Sequence, residues 1–178
     1  MENLAPFCYL ASVETFGAFL RGGMCLPDAS RVTYCKQTSF SRCRIDSPAG
    51  ALTLSLPVVN PHGRAPLSEI LISEHGNWRH QHWNALVSSY RHTPYFDYYE
   101  EDFRPFYTEH NWERLVDFNK DMYDVILRLI GPTQPLPKER ALECTPYYQV
   151  FAGRHGFLPN LSIVDLLFNM GPESVYML

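Results

Sequence analysis

No stretch of this chain approaches the roughly 20 consecutive apolar residues that a membrane-spanning helix needs. Basic charge is also short: 15 Lys and Arg against 19 Asp and Glu give a formal net charge of −4. That balance argues against a general nucleic-acid binder, whose phosphate contacts require a basic surface. The opening residues lack the cationic start of a secretory leader. Glu2 and Glu14 stand there instead, and Arg21 is the first basic residue, which predicts a cytoplasmic location. Paired cysteine motifs are missing as well. Cys8, Cys25, Cys35, Cys43 and Cys144 are odd in number and irregular in spacing, with no CxxC, so reduced thiols are expected rather than a disulfide framework. Nor is there a GxSxG nucleophile turn, a GxxxxGKS/T phosphate loop or a GxGxxG dinucleotide turn.

What is present suits one folded unit. The 178 residues are 46% apolar and 19% charged, and they predict a single domain spanning 1–178. Aromatic residues reach 14%. They can fill a core or wall a pocket, and the core is the first expectation because they bury the most area per residue. The proline-rich stretch from Gly131 to Thr145 reads as a long loop, since the roughly 30 residues after it are too few for a second core.

The expected fold class is α/β, leaning to α+β. A small mixed sheet from the N-terminal half and the C-terminal region is packed by a helical middle section. Strands are expected over 8–13, 31–35 and 51–56. The last has Leu52, Leu54 and Leu56 on one face, the period of two of a half-buried strand. A short helix is expected over 14–21. Asn77 is placed to cap a helix carrying Trp78, His82, Leu86 and Tyr90 as an inward stripe, ended by Pro94. A further helix runs over 95–107, and another over 112–130 behind Asn111, stopped at Gly131-Pro132. Ser162 and Asp165 have the spacing of a capping box for a last helix.

Two segments could carry chemistry. Lys36, Arg42 and Arg44 fall within nine residues and have even spacing, so an extended chain would project them to one face. Such a face suits a phosphate or a carboxylate; the alternative is an edge strand protected by positive charge. In the second segment, His82 shares its stripe with Trp78 and Tyr90. It is either a hydrogen-bonded core histidine or a general acid or base, with Glu14 or Asp97 as partner. A metal site is not expected. His80 and His82 are two apart on opposite sides of a helix, and His75 lies in a loop. Cys35 beside Lys36, and Cys43 between Arg42 and Arg44, are either thiolates activated by cations or core residues.

Four segments in order resemble the WbqC-like protein family of bacteria. Residues Lys36 to Ile45 resemble its K-x-S-(Y/F)-x-N-R-x-x-I block, and Gly50 to Val58 its G-x-x-x-L-x-(V/L)-P-V. Trp78 to Trp83 with Tyr90 and Pro94-Tyr95-Phe96 resembles W-x-x-x-H-W…Y…P-(Y/F)-F, and residues 148–171 its C-terminal section. The chain departs from the family at Ala11 and Gly17, where Pro and His are common, and at Ser41, where Asn is.

The resemblance implies surface polysaccharide and O-antigen biosynthesis. The expected function is a transferase acting on sugar or nucleotide-sugar intermediates, by aminoacyl or acyl transfer. Lys36, Arg42 and Arg44 would hold the anion, His82 would act as base, and Trp78, Trp83 and Tyr90 would wall the pocket. The alternative is a non-catalytic binding or scaffold protein of such a pathway. A third reading, a cysteine-dependent acyltransferase, needs Cys35 or Cys43 to meet a histidine. The expected partner is a small sugar or nucleotide-sugar ligand. No cofactor is read from the sequence.

Overall fold

Helices form close to where the apolar period puts them. The computed structural model describes residues 4–22, 25–59, 64–131 and 145–178. Gly23, Cys144 and most of the proline-rich stretch lie outside the described residues. In chain order the elements are α1 (Val13–Arg21), β1 (Arg42–Ile45), β2 (Leu52–Ser55), α2 (Trp78–Tyr90), α3 (Phe96–Thr108), α4 (Leu115–Ile130), α5 (Ala152–His155) and α6 (Ile163–Met170), with 3-10 turns between. This is a mixed architecture dominated by helix, with a two-stranded antiparallel sheet.

On α2, Trp78, His82, Leu86 and Tyr90 are all buried, as their spacing by four requires. Arg79 is buried beside them. Its guanidinium lies 4.4 Å over the Trp78 ring and pairs with Glu74 at 2.8 Å. On α4, Leu115, Phe118, Met122 and Ile126 face inward, and Phe118 meets the rings of Tyr9, Trp78, Phe106 and Trp112. Asn119, on the same face, donates from its amide to the carbonyls of Phe7 (2.7 Å) and Phe40 (2.9 Å). That tethers two N-terminal loops to the long helix. The last helix is a core element: residues 163 to 169 are all buried, and Phe168 lies 5.2 Å from each of Tyr90, Phe96 and Phe103.

The hairpin pairs Arg42 with Ser55 and Arg44 with Thr53. Cys43, Ile45 and Leu54 point inward, as does Leu56 beyond β2, while Leu52 at the hairpin end is 39% exposed. The C-terminal region joins this sheet along the other side of β1. The Ser162 N–H donates to the Arg44 carbonyl at 2.7 Å, and Ser162 in turn bridges Ser12.

Several local expectations are corrected. Residues 8–13 are no strand. A 3-10 turn at Ala5–Phe7 precedes them, Leu10 adopts φ +44, and Ser12 already caps α1 by accepting from the Thr15 N–H. A buried apolar run has no period to separate a strand from packed irregular chain. Residues 31–35 contribute one bridge, Thr33 to Pro66, flanked by bonds from Tyr34 to Ala65 and from Leu67 to Val32, and the pairing stops where the partner segment turns into the 3-10 helix Leu67–Glu69. α4 starts at Leu115 rather than 112: Arg114 is extended and bridges Leu71, while the Asn111 amide bonds Glu109. Asn77 holds its cap position without a side-chain bond. Ser162 does cap α6, but by accepting from Val164, and Asp165 turns inward instead of reaching back.

Candidate binding cleft

Because Cys43 and Ile45 are buried, the alternating Arg42 and Arg44 project from the outer face of β1. There they line a cleft of about 330 Å³. One wall is Arg42, Arg44 and Thr53, and the loop Gln37 to Ser39 closes its end. Leu10 to Ser12, Asn160 and Ser162 complete the lining. No side-chain hydrogen bond or ion pair of either guanidinium is formed among the described residues. The lining contains hydroxyls and amides but no Asp, Glu or His. Unpaired arginines in an acidic protein, facing a cleft without acids, suit an anionic ligand.

Backbone conformation singles out the same place. Three non-glycine residues have positive φ among the described residues: Leu10 (+44), Gln37 (+62) and Asn160 (+52). All three line this cleft. Left-handed backbone costs about 1–2 kcal/mol for an ordinary side chain, persists only where the surroundings enforce it, and gathers at functional sites. Asn160 shows the enforcement. Its Nδ2 donates to Glu14 Oε2 at 2.7 Å, and its Oδ1 accepts from the Glu14 N–H at 3.2 Å.

Two helices, α1 and α6, begin at the cleft, capped by Ser12 and Ser162. Their first-turn N–H groups are already taken, by Leu161, Asn160 and Ser12 in α1 and by Ala11 and Ser162 in α6. The helices therefore add a favourable field for an anion but no donors. Direct contact falls to the guanidiniums and the hydroxyl and amide side chains.

Behind the cleft lies a buried polar cluster. The Tyr90 hydroxyl accepts from the Asp46 N–H at 3.0 Å and donates to Asp165 at 2.9 Å. Asp165 also accepts from Tyr147 (2.6 Å) and Gln149 (3.0 Å). Burial, aided by the nearby Asp46 charge, lifts the Asp165 carboxyl to about 6 against the pull of these donors. Burial likewise raises Asp46, whose Oδ1 lies 3.1 Å from His155 Nε2 and whose Oδ2 has no partner.

The other sequence-derived candidates stand elsewhere. Lys36 is exposed and does not line the cleft. His82 is 5% exposed, with Nδ1 2.9 Å from the Tyr9 hydroxyl, and burial lowers it to about 4. Trp78 donates its indole N–H to the Ser73 carbonyl, Trp83 stacks near Tyr107, and Tyr90 is fully buried. Cys43 lines the cleft with a buried thiol that burial pushes well up, whereas Cys35 is exposed. Of the departures, Ala11 lines the cleft, Gly17 faces Arg21 and the Leu178 carbonyl, and the Ser41 hydroxyl lies 3.2 Å from that of Tyr34.

The model of the WbqC-like protein family matches residues 29–145, more than half of the chain. The chain belongs to the WbqC-like protein family. That membership suggests a polysaccharide-related role. No curated protein and no solved structure matches. The matched span holds the hairpin, Arg42, Arg44 and the helices α2 to α4, while the lining at Leu10 to Ser12, Asn160 and Ser162 lies outside it. Among the described residues no helix is long and apolar enough to cross a membrane, and no group of three metal-ligating side chains occurs.

Sequence reasoning did not place Gln37, Asn160 or Ser12 at the site, and read Ser162 only as a helix cap. Asn160 carried a signal, because Asn is among the few residues that tolerate left-handed backbone. Leu10 and Gln37 carried none.

Proposed function

We propose that this protein recognises the phosphate or carboxylate of a sugar-linked or nucleotide-sugar intermediate in surface polysaccharide assembly, acting as a ligand-binding component of the pathway. The supporting observation is the pair of unpaired guanidiniums facing a cleft whose lining has no acidic side chain. Gln37, Thr38, Ser39 and Thr53 around them offer the hydroxyl and amide groups that sugar hydroxyls need.

Group transfer in the same cleft is the second reading, and the three left-handed residues gathered there favour it. Its base would have to come from elsewhere than His82. An imidazole held near 4 is a weak proton acceptor at neutral pH and stands outside the cleft lining.

Thermal shifts against nucleotide sugars, acyl-CoAs and amino acids test the proposal, repeated with Arg42→Ala. A ligand at a hundredfold excess over Kd stabilises the native state by about 2.7 kcal/mol, or several degrees for a domain of this size. A nucleotide sugar is expected to give that shift and lose it in the variant. An equal shift in Arg42→Ala would sink the site, and turnover of the bound sugar would move the protein to the transfer reading.

A further inference from the structure

We infer that the anion this cleft takes is a diphosphate rather than a lone phosphate or carboxylate; this rests on reading the cleft as an anion site. Arg42 and Arg44 alternate along one strand, so their Cα atoms stand about 7 Å apart on the same face. A single carboxylate satisfies one guanidinium fork through two parallel hydrogen bonds, and a single phosphate has to be shared between the two. Two adjacent phosphoryl groups give each fork its own partner.

The two ends of the cleft differ accordingly. The Arg42 end is closed by the loop at Gln37 and Thr38, where Gln37 holds the left-handed conformation. The Gln37 amide and the Thr38 and Ser39 hydroxyls supply polar groups there. The Arg44 end carries Thr53 and Ser162. Both ends also feel the positive ends of α1 and α6, whose own donors are spent. A volume of about 330 Å³ holds a diphosphate and part of what it is attached to. The attachment can be a nucleoside, a sugar or a prenyl chain, and the probes must separate these.

Calorimetric titration at one ionic strength would compare orthophosphate, inorganic pyrophosphate, a nucleoside monophosphate, its diphosphate, a nucleotide sugar and geranyl diphosphate. Wild type, Arg42→Gln and Arg44→Gln would each be titrated, with melting curves confirming that both variants fold. Pyrophosphate should bind at least tenfold tighter than orthophosphate. Each variant should lose roughly ten- to hundredfold for pyrophosphate, the range of a charge-assisted hydrogen bond, and its preference over orthophosphate should fall towards one. Whichever conjugate gains most over pyrophosphate names the attached group. Equal binding of orthophosphate and pyrophosphate overturns the diphosphate inference and leaves the anion site standing. A preference that survives Arg44→Gln also overturns it. No binding by any probe overturns both.

Discussion

Asp165 and His82 are buried groups whose effects on stability run in opposite directions with pH, so removing one should unmask the other. Burial lifts the Asp165 carboxyl from 3.8 to about 6. The folded state then holds a proton between those values that the unfolded chain has released. Its contribution is fully present below about 4 and is lost as pH rises through 6, about 3 kcal/mol in all at roughly 1.4 kcal/mol per pH unit. His82 is moved from 6.5 to about 4, chiefly by burial, with a hydrogen bond to the Ser55 backbone opposing. Here the unfolded chain holds the extra proton. The contribution is complete above 6.5 and is lost as pH falls through 4, again about 3 kcal/mol. Between pH 4 and 6 the two slopes nearly cancel. Asp165→Asn removes one of them while keeping the side chain's size and much of its bonding to Tyr90, Tyr147 and Gln149. Urea unfolding at half-unit pH steps should show the variant losing about 3 kcal/mol more than wild type from pH 6 to 4. The constant offset between the two proteins does not matter; the difference in slope does. Parallel curves would refute the reasoning and mean that Asp165 is ionised throughout that range.

Two further outcomes are expected. Gly171→Ala should destabilise the fold by about 3 kcal/mol or more in chemical denaturation, because the backbone has φ +56 and a Cβ there would stand 2.4 Å from the Tyr95 ring; a neutral substitution would mean that Tyr95 moves freely aside. In a Cys144→Ser background, a thiol reagent at neutral pH should modify Cys25 and Cys35 quickly and reach Cys8 and Cys43 only on unfolding, as their exposure and burial require. Rapid native labelling of Cys43, read by mass spectrometry, would restore the cysteine-dependent transfer reading.

The legible parts of the fold were those with a period. α2 and α4 repeat their buried positions every three to four residues, so their faces could be drawn from spacing alone, whereas in β2 Leu54 is buried but Leu52 is not. Residues 8–13 could not be read this way, since all but Ser12 are buried and a continuous run has no phase. Asp165 was read as a local cap because Ser162 stands three residues before it. Three donors from Tyr90, Tyr147 and Gln149 instead draw the carboxylate inward, and those lie up to 75 residues away in sequence. The cleft was half legible. Arg42 and Arg44 share a face through the alternation of one strand, but Lys36 falls in a turn before it, where that alternation no longer applies. The rest of the lining comes from both ends of the described chain, which local spacing does not bring together.

Whether Arg42 and Arg44 serve a ligand or only guard a strand edge turns on what flanks β1. Protective charge belongs on a strand with an open side, where unpaired N–H and C=O groups invite another chain. β1 has β2 along one side, and on the other its Arg44 carbonyl accepts from Ser162, which itself bridges Ser12. The guanidiniums stand on a face of this sheet, and the outer side of β1 is already engaged at the Arg44 carbonyl. Their position also carries an energetic penalty that edge protection would not explain. Two like charges on alternate residues of one strand repel, and the positive ends of α1 and α6 add to the same field. With net charge −4, the protein has carboxylates enough to neutralise them, yet none lines the cleft. Glu14, the carboxylate nearest in the chain to Ser12, is instead engaged by Asn160. A fold under no demand at this position would relax by admitting an acid or losing an arginine. Left-handed backbone at Leu10, Gln37 and Asn160 adds strain in the same few ångströms. An incoming anion relieves the charge repulsion directly, and edge protection offers no such relief.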